Sequence, residues 1–381
     1  MISSVEFREQ SNAIRLETHH EPLVLHLLQS ENSKVDLKLF AEILLGLLLM
    51  AVLFGVWCDQ RYSRRILLPK ISEKPMFMAL RVTPCEDGES VKFSTRDGKL
   101  LRGVYVRTTA PKRAGILIFS HEFLADRWSF QVYAEGVREA GFDIFSFDFR
   151  NHGESEEDPT HPSLQWLTDR EYIDLEAALD YVRSRPDHDE TGVALFGVSR
   201  GGSVSLAMAA KRTDVWGVIT DSAFPTVGTL VPYMIRFATL YVKMGTIVEK
   251  FPSFVFRFIG YRGISKAEKK YGCRFLHLES LVGKISPRPW LAIHGQSDNY
   301  ITTDVAERLF NLASQPKEMW VVSKAKHNRS QQIEPEEYRR RITEFLCSNA
   351  PSRQASMTDS NYKRMTQPES SGDRLIQTAN S

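Results

Sequence analysis

The chain has 381 residues, enough for one large catalytic domain with attachments, and a domain of that size buries most of its apolar surface without staples or metals. Its 49 Lys plus Arg stand against 47 Asp plus Glu, so it offers none of the basic excess that a nucleic-acid partner usually requires. Cys58, Cys85, Cys273 and Cys347 lie far apart, with no CxxC pair and no Cys/His cluster, which argues against a disulfide framework and against a structural zinc site.

Residues 1–38 are polar and without clear periodicity; they read as a flexible tail, or as sequence ahead of a later start of translation. Residues 39–58, LFAEILLGLLLMAVLFGVWC, form an apolar run whose only charge is Glu42 near one end. Such a run matches the hydrocarbon thickness of a bilayer and is apolar on every face, so a transmembrane helix is expected. A buried helix of the soluble domain is the alternative. The run begins late and no small-x-small cleavage pattern follows it, so a cleaved signal fits poorly. Trp57 and Tyr62 suit an interfacial belt, and Cys58 reads as an ordinary cysteine rather than an acylation site. Arg61, Arg64, Arg65 and Lys70 outnumber Lys34 and Lys38, so the positive-inside rule puts the C-terminal domain in the cytoplasm.

A linker is expected over 59–89, and a catalytic domain over 90–348. SVKFSTRDGKLLRGVYV (90–106) predicts a hairpin around Asp97-Gly98. Strand-like and helix-like stretches then alternate. AGILIFS (114–120) predicts a strand, WSFQVYAEGVREAG a helix, and FDIFSFD (142–148) a strand. DLEAALDYVRS carries Leu175, Ala178, Leu179 and Val182 on one helical stripe. GVALFG (192–197), VWGVITD (215–221), PWLAIHG (289–295) and EMWVVS (318–323) complete the strands, with VSLAMAAKR (204–212) as a helix. This alternation predicts an α/β fold: a mainly parallel central sheet with helices on both faces and ligands beyond the carboxyl ends of the strands. From Asn349 to the end at residue 381 the chain is rich in Ser, Gln, Asn and Thr, and disorder is expected.

GVSRG, Gly197–Gly201, is the strongest chemical signal. It follows a strand and precedes a helix, the setting in which G-x-S-x-G makes a nucleophile elbow. Flanking glycines give room for the tight turn that lifts the Ser199 hydroxyl clear of the backbone. A serine needs a base to take its proton and an acid to hold that base in one tautomer. HGQSDNYI (294–301) places Asp298 just past a strand, and SKAKHNRS (323–330) places His327 just past the next. Asp221 is the reserve candidate for the acid. His121, His152 and His294 sit at strand-end turns and read as loop-holding residues.

SHEF, FDFRNHGES, FGVSRGG, DSAF, IHGQSD and the late histidine occur in order from about Ser90 to Cys347. In this the chain resembles the α/β-hydrolase superfamily, in the branch of serine-aminopeptidase-like and membrane-anchored bacterial hydrolases. The resemblance implies an α/β-hydrolase fold with a helical cap and a catalytic triad of Ser199, His327 and Asp298. It also implies an oxyanion hole from the backbone N–H groups of Phe123 and Arg200, and chemistry that requires no cofactor and no metal. The family usually has His-Gly where this chain has His121-Glu122. Glu122 is therefore expected to point away from the hole and to pair with Arg127 or Arg200.

The cap is expected over about 225–281, where VPYMIRFATLYVKMGTIVEKFPSFVFRFIGYR is rich in Phe, Tyr, Met and Val. Arg236, Lys243, Lys250 and Arg257 recur as a narrow basic stripe, with Pro252 interrupting the helix. Either this cap simply packs on the core, or it also touches a membrane surface. Its apolar character favours a small-molecule or lipid-like acyl substrate, and no acidic cluster in it suits the free amine of a peptide. The expected reaction is cleavage of an ester or related acyl bond. Acyl transfer, peptide cleavage and a non-catalytic membrane-anchored scaffold are the alternatives.

Overall fold

A computed structural model describes residues 31–73, 80–230, 232–233 and 253–352. The expectations for the first thirty residues, for Arg236, Lys243, Lys250 and Pro252, and for the tail from residue 353 fall outside the described residues. The chain divides into two units, one ending at Tyr62 and the other beginning at Ser63.

The first unit contains one long helix, α1, Glu31–Tyr62. The apolar span Asp36–Arg65 is long enough to cross a bilayer, and its side chains from Leu37 to Trp57 are exposed. An exposed apolar surface of this length does not suit water. The helix begins eight residues before the apolar run proper, because the polar residues ahead of it continue the helix.

The second unit opens with a π-helical turn, Ser63–Leu67, and a short helix, Leu68–Ser72. This stretch lies against the body. Ile71 is buried, its carbonyl accepts from the Trp166 indole at 3.0 Å, and the Tyr271 hydroxyl donates to the Leu68 carbonyl at 3.3 Å.

Eight strands follow: β1 Glu89–Ser94, β2 Leu100–Val106, β3 Gly115–Ser120, β4 Phe142–Phe147, β5 Val193–Val198, β6 Val215–Asp221, β7 Trp290–Gly295 and β8 Lys317–Val322. They form one sheet in the order β1-β2-β4-β3-β5-β6-β7-β8. β1 and β2 make the hairpin expected around Asp97-Gly98, and β2 also runs antiparallel to β4; from β4 to β8 every pairing is parallel. The sheet is thus mixed and mostly parallel.

Alternation along the strands feeds two cores. Ile116, Ile118 and Leu195 face one side, with Leu175, Ala178, Leu179 and Val182 of helix α2, Asp169–Ser184, and Val204 and Ala207 of helix α3, Arg200–Ala209. Leu117, Phe119, Ala194 and Phe196 face the other, with Tyr338, Ile342 and Leu346 of a last helix, Pro335–Asn349. Period-two alternation sends successive side chains to opposite faces, so every central strand is buried on both. Helix α2 starts in a capping box, with Thr168 and Glu171 closing each other's free amides.

The helix expected over 128–141 is not continuous. A 3-10 turn, Arg127–Ser129, and one α turn, Phe130–Tyr133, give way to turns, with Gly136 at φ 81°. Gly136 faces Arg339 so closely that a Cβ would stand 2.8 Å from its Cγ. The hydrophobic period continues through that glycine while the backbone does not.

Beyond the sheet, the region expected as a cap contains the helix Ser253–Tyr271, followed by a short helix at Leu278–Leu281.

Candidate active site

The strand order reverses direction at β3. The chain moves from β3 to β4 on one side, then crosses back over β3 to β5 on the other, opening a crevice beyond their carboxyl ends. Ser120, the last residue of β3, pairs with Gly197 of β5. The segments that follow these two strands therefore meet, and they are 121–124 and 199–200.

Ser199 joins β5 to α3 with φ 54° and ψ −118°, a conformation that non-glycine residues seldom adopt. Its amide donates to the Asp221 carbonyl at 2.7 Å, which holds the turn against the end of β6. The glycines of the motif have a steric reason. A Cβ at Gly201 would collide with the Ser120 carbonyl and lie 2.6 Å from that of His121; one at Gly197 would collide with the Gly201 carbonyl.

The structure brings the three expected side chains together. His327 Nε2 lies 2.9 Å from Ser199 Oγ, and His327 Nδ1 lies 2.6 Å from Asp298 Oδ2. Asp298 Oδ1 accepts from the amides of Tyr300 at 2.9 Å and Ile301 at 2.8 Å, so the carboxylate is fixed at both oxygens. Burial opposes the charge of Asp298, but the neighbouring His327 outweighs it and holds the carboxyl below its ordinary pKa. Tyr300 packs edge-on against the His327 ring, with centroids 5.0 Å apart. With Nδ1–H given to Asp298, Nε2 is free to accept the serine proton.

Asp221 lies elsewhere. Its oxygens accept from the hydroxyls of Ser222 at 2.8 Å and Tyr338 at 2.9 Å, and burial pushes its carboxyl up to about 6. It braces the turn beneath the serine. The remaining histidines hold loops. His121 Nδ1 donates to the Glu122 carbonyl at 2.7 Å while its Nε2 accepts the Phe149 amide at 3.2 Å, and burial lowers its pKa to about 3. His294 Nε2 donates to the Ile301 carbonyl at 2.9 Å. His152 contacts the Arg150 carbonyl at 2.9 Å.

Phe123 and Arg200 flank the serine from the two meeting segments. The Arg200 amide opens helix α3, where a backbone N–H has no partner within the helix. The Phe123 amide donates no hydrogen bond among the described residues. The Arg200 side chain points back into the body: it is fully buried, donates to the Leu164 carbonyl at 2.7 Å, lies 3.3 Å from Glu171, and passes over the Phe123 ring at 5.0 Å. Nothing in the motif announced this ion pair. The signal that could have found it is Thr168-x-x-Glu171, a capping-box spacing at the start of helix α2.

Glu122 corrects an expectation. It pairs with neither arginine, because Arg127 is held by Asp148 and Glu154 and Arg200 by Glu171. Its carboxyl is buried instead, with Oε1 3.4 Å from the Tyr133 hydroxyl, and burial pushes its pKa up to about 7.

A family profile of the alpha/beta hydrolase fold matches residues 115–260. The YfhR protein of Escherichia coli strain K12, itself uncharacterized, is 26% identical over 266 residues, covering 68% of this chain and 81% of its own. The protein bem46 of Schizosaccharomyces pombe is 23% identical over 265 residues, covering 68% and 77%. An uncharacterized membrane protein of Saccharomyces cerevisiae is 26% identical over 98 residues, 26% of this chain and 32% of its own. Among solved structures, an esterase of Pyrococcus furiosus superposes with a TM-score of 0.54 at 20% identity, over 73% of this chain and all of that one. The chain has the α/β-hydrolase fold, and its sequence is distantly similar to those of YfhR and bem46.

Proposed function

We propose that the protein is a membrane-anchored serine hydrolase that cleaves an ester or related acyl bond. The observation that carries this reading is the hydrogen-bonded series from Ser199 Oγ to His327 Nε2 at 2.9 Å and from His327 Nδ1 to Asp298 at 2.6 Å, set on a strained elbow. His327 takes the hydroxyl proton as Ser199 Oγ attacks the acyl carbon, and Asp298 stabilises the imidazolium that forms. The amides of Phe123 and Arg200 receive the charge that develops on the carbonyl oxygen. The tetrahedral intermediate collapses, the alcohol leaves with the proton from His327, and an acyl-enzyme remains. Water, deprotonated by the same imidazole, attacks the acyl carbon; the acid departs and Ser199 recovers its proton.

A small-molecule or lipid-like acyl compound is the proposed substrate. The Pyrococcus protein named an esterase shares the fold, and the apolar residues of the cap suit such a group. The motifs in its sequence resemble those of the serine-aminopeptidase-like and membrane-anchored bacterial branch, which is the branch proposed for it. Residues 39–58 are the proposed anchor, supported by their exposed apolar surface and by a distant yeast relative named a membrane protein. The basic residues at 61, 64 and 65 favour a cytoplasmic catalytic domain.

A fluorophosphonate probe tests the chemistry: labelling is expected in the wild-type chain and absent in Ser199→Ala. A wild-type chain that resists the probe would favour a non-catalytic scaffold. A series of nitrophenyl esters of rising chain length then reads the acyl preference, with long chains expected to react best. Retention in the membrane pellet after alkaline carbonate washing tests the anchor, and release into the supernatant would refute it.

A further inference from the structure

The segment after β3 contains a group that the proposed reaction does not use. Glu122 is 3% exposed, its Oε1 lies 3.4 Å from the Tyr133 hydroxyl, and its Oε2 has no hydrogen-bond partner among the described residues. A buried carboxyl so poorly supported is costly and calls for a cause. The same Tyr133 hydroxyl lies 3.4 Å from the carbonyl of Asn328, the residue that follows His327. Asn328 has φ 57°, and its amide donates to Ser222 Oγ at 3.3 Å. One phenol therefore stands between the loop of Phe123 and the loop of His327.

We propose that Glu122 is a positioning residue: through the Tyr133 hydroxyl it ties the loop carrying the Phe123 amide to the loop carrying His327. The inference rests on the serine-hydrolase reading for its catalytic consequence, though the tie itself is a property of the fold. A phenol has one hydrogen. If Glu122 is ionised, it and the Asn328 carbonyl compete for that hydrogen, and one contact is lost. If Glu122 is protonated, its O–H donates to the phenol oxygen and the phenol hydrogen goes to Asn328, so both contacts persist together. Burial favours this neutral form up to about neutral pH.

The groups around the carboxyl fit this assignment. The residue's own backbone amide and the hydroxyls of Ser129 and Tyr133 oppose the burial, and Asp126, from the turn ahead of the 3-10 helix, adds like charge. Tyr338 faces Glu122 from the last helix, while Asp221 at the end of β6 and Arg329 of the histidine loop act on Tyr133. Ionisation of Glu122 above neutral pH would then release the histidine loop.

Hydrogen exchange of the full-length protein over 121–124 and 326–330 reads the tie without any chemistry. For the wild-type chain, protection corrected for intrinsic rates is expected to fall about tenfold between about pH 6 and pH 8.5, whereas Glu122→Gln, whose amide donates at every pH, stays protected. Tyr133→Phe is expected to be unprotected at both. The fluorophosphonate labelling rate should follow, turning down above about pH 7 in the wild type, with the ratio of Glu122→Gln to wild type rising about fivefold. Equal exchange in wild type and Glu122→Gln at both pH values overturns the inference, whether or not Ser199 reacts. The expected exchange pattern without any labelling would sink the hydrolase reading alone.

Discussion

Asp298 meets His327 Nδ1 at 2.6 Å with one carboxylate oxygen while the other is held by two successive amides, those of Tyr300 and Ile301. The acid is therefore fixed by backbone and cannot follow the imidazole if the ring turns. Asp298→Asn keeps the amide contacts but can present an N–H to Nδ1, which favours the tautomer that lacks a free Nε2. The expected loss is roughly ten-thousand-fold in turnover of a nitrophenyl ester, with little change in KM. A loss under about tenfold would mean that another acid orients the ring.

That other acid would be Asp221, the residue left in reserve by the sequence. It accepts from Ser222, Tyr338 and, at 3.4 Å, Ser330, and makes no hydrogen bond to His327 among the described residues. Asp221→Ala leaves buried hydroxyls without an acceptor, so stability should fall by about 2–4 kcal/mol in denaturant unfolding. Labelling of Ser199 at a permissive temperature should persist. The two aspartates thus separate cleanly, one governing rate and the other stability.

The elbow glycines give a third contrast. Gly201→Ala drives a Cβ into the backbone carbonyls of Ser120 and His121, neither of which is a flexible side-chain end. The strand-end crevice would have to open, and a loss of several kcal/mol with disappearance of labelling is expected, on the order of 4 kcal/mol. Gly98→Ala has open space around it and a φ of 84°, so only the conformational cost of about 1–2 kcal/mol applies, and labelling should be retained. Thermal unfolding of both variants checks the difference.

These contrasts show which features a sequence can reveal. β5 and the serine turn are legible because a buried strand, two obligatory glycines and a helix start leave few other conformations for Gly197–Gly201. Asp298 and His327 are legible because each follows an apolar strand, and parallel strands deliver their ends to one rim. The partner of Glu122 is not legible. Arg127 is five residues away, but Asp148, from the end of the neighbouring strand β4, occupies it, and only the sheet order makes those two neighbours. Tyr133 ends the short local helix, in a stretch whose apolar period continues past Gly136, where the backbone turns at φ 81°. The packing of residues 63–72 against Trp166 and Tyr271 is equally hidden, since it depends on contacts far along the chain.

The stability of the protein against pH provides a separate measure of Glu122. Its folded pKa is raised from 4.5 to about 7 by burial, so between those values the folded chain holds a proton that the unfolded chain has released. Stability must then fall as pH rises through that window and level off above about pH 7, by about 3 kcal/mol for this one group. Asp221 contributes in the same direction over a lower range, and His121, buried and neutral, in the opposite direction on acidification. Neither changes in Glu122→Gln, so subtracting the wild-type curve from that of the variant isolates the carboxyl. The difference in unfolding free energy is expected to grow by about 2–3 kcal/mol in favour of Glu122→Gln from about pH 5 to pH 8. A flat difference would mean that Glu122 is ionised in the folded chain throughout, with a counter-charge close enough to cancel its burial.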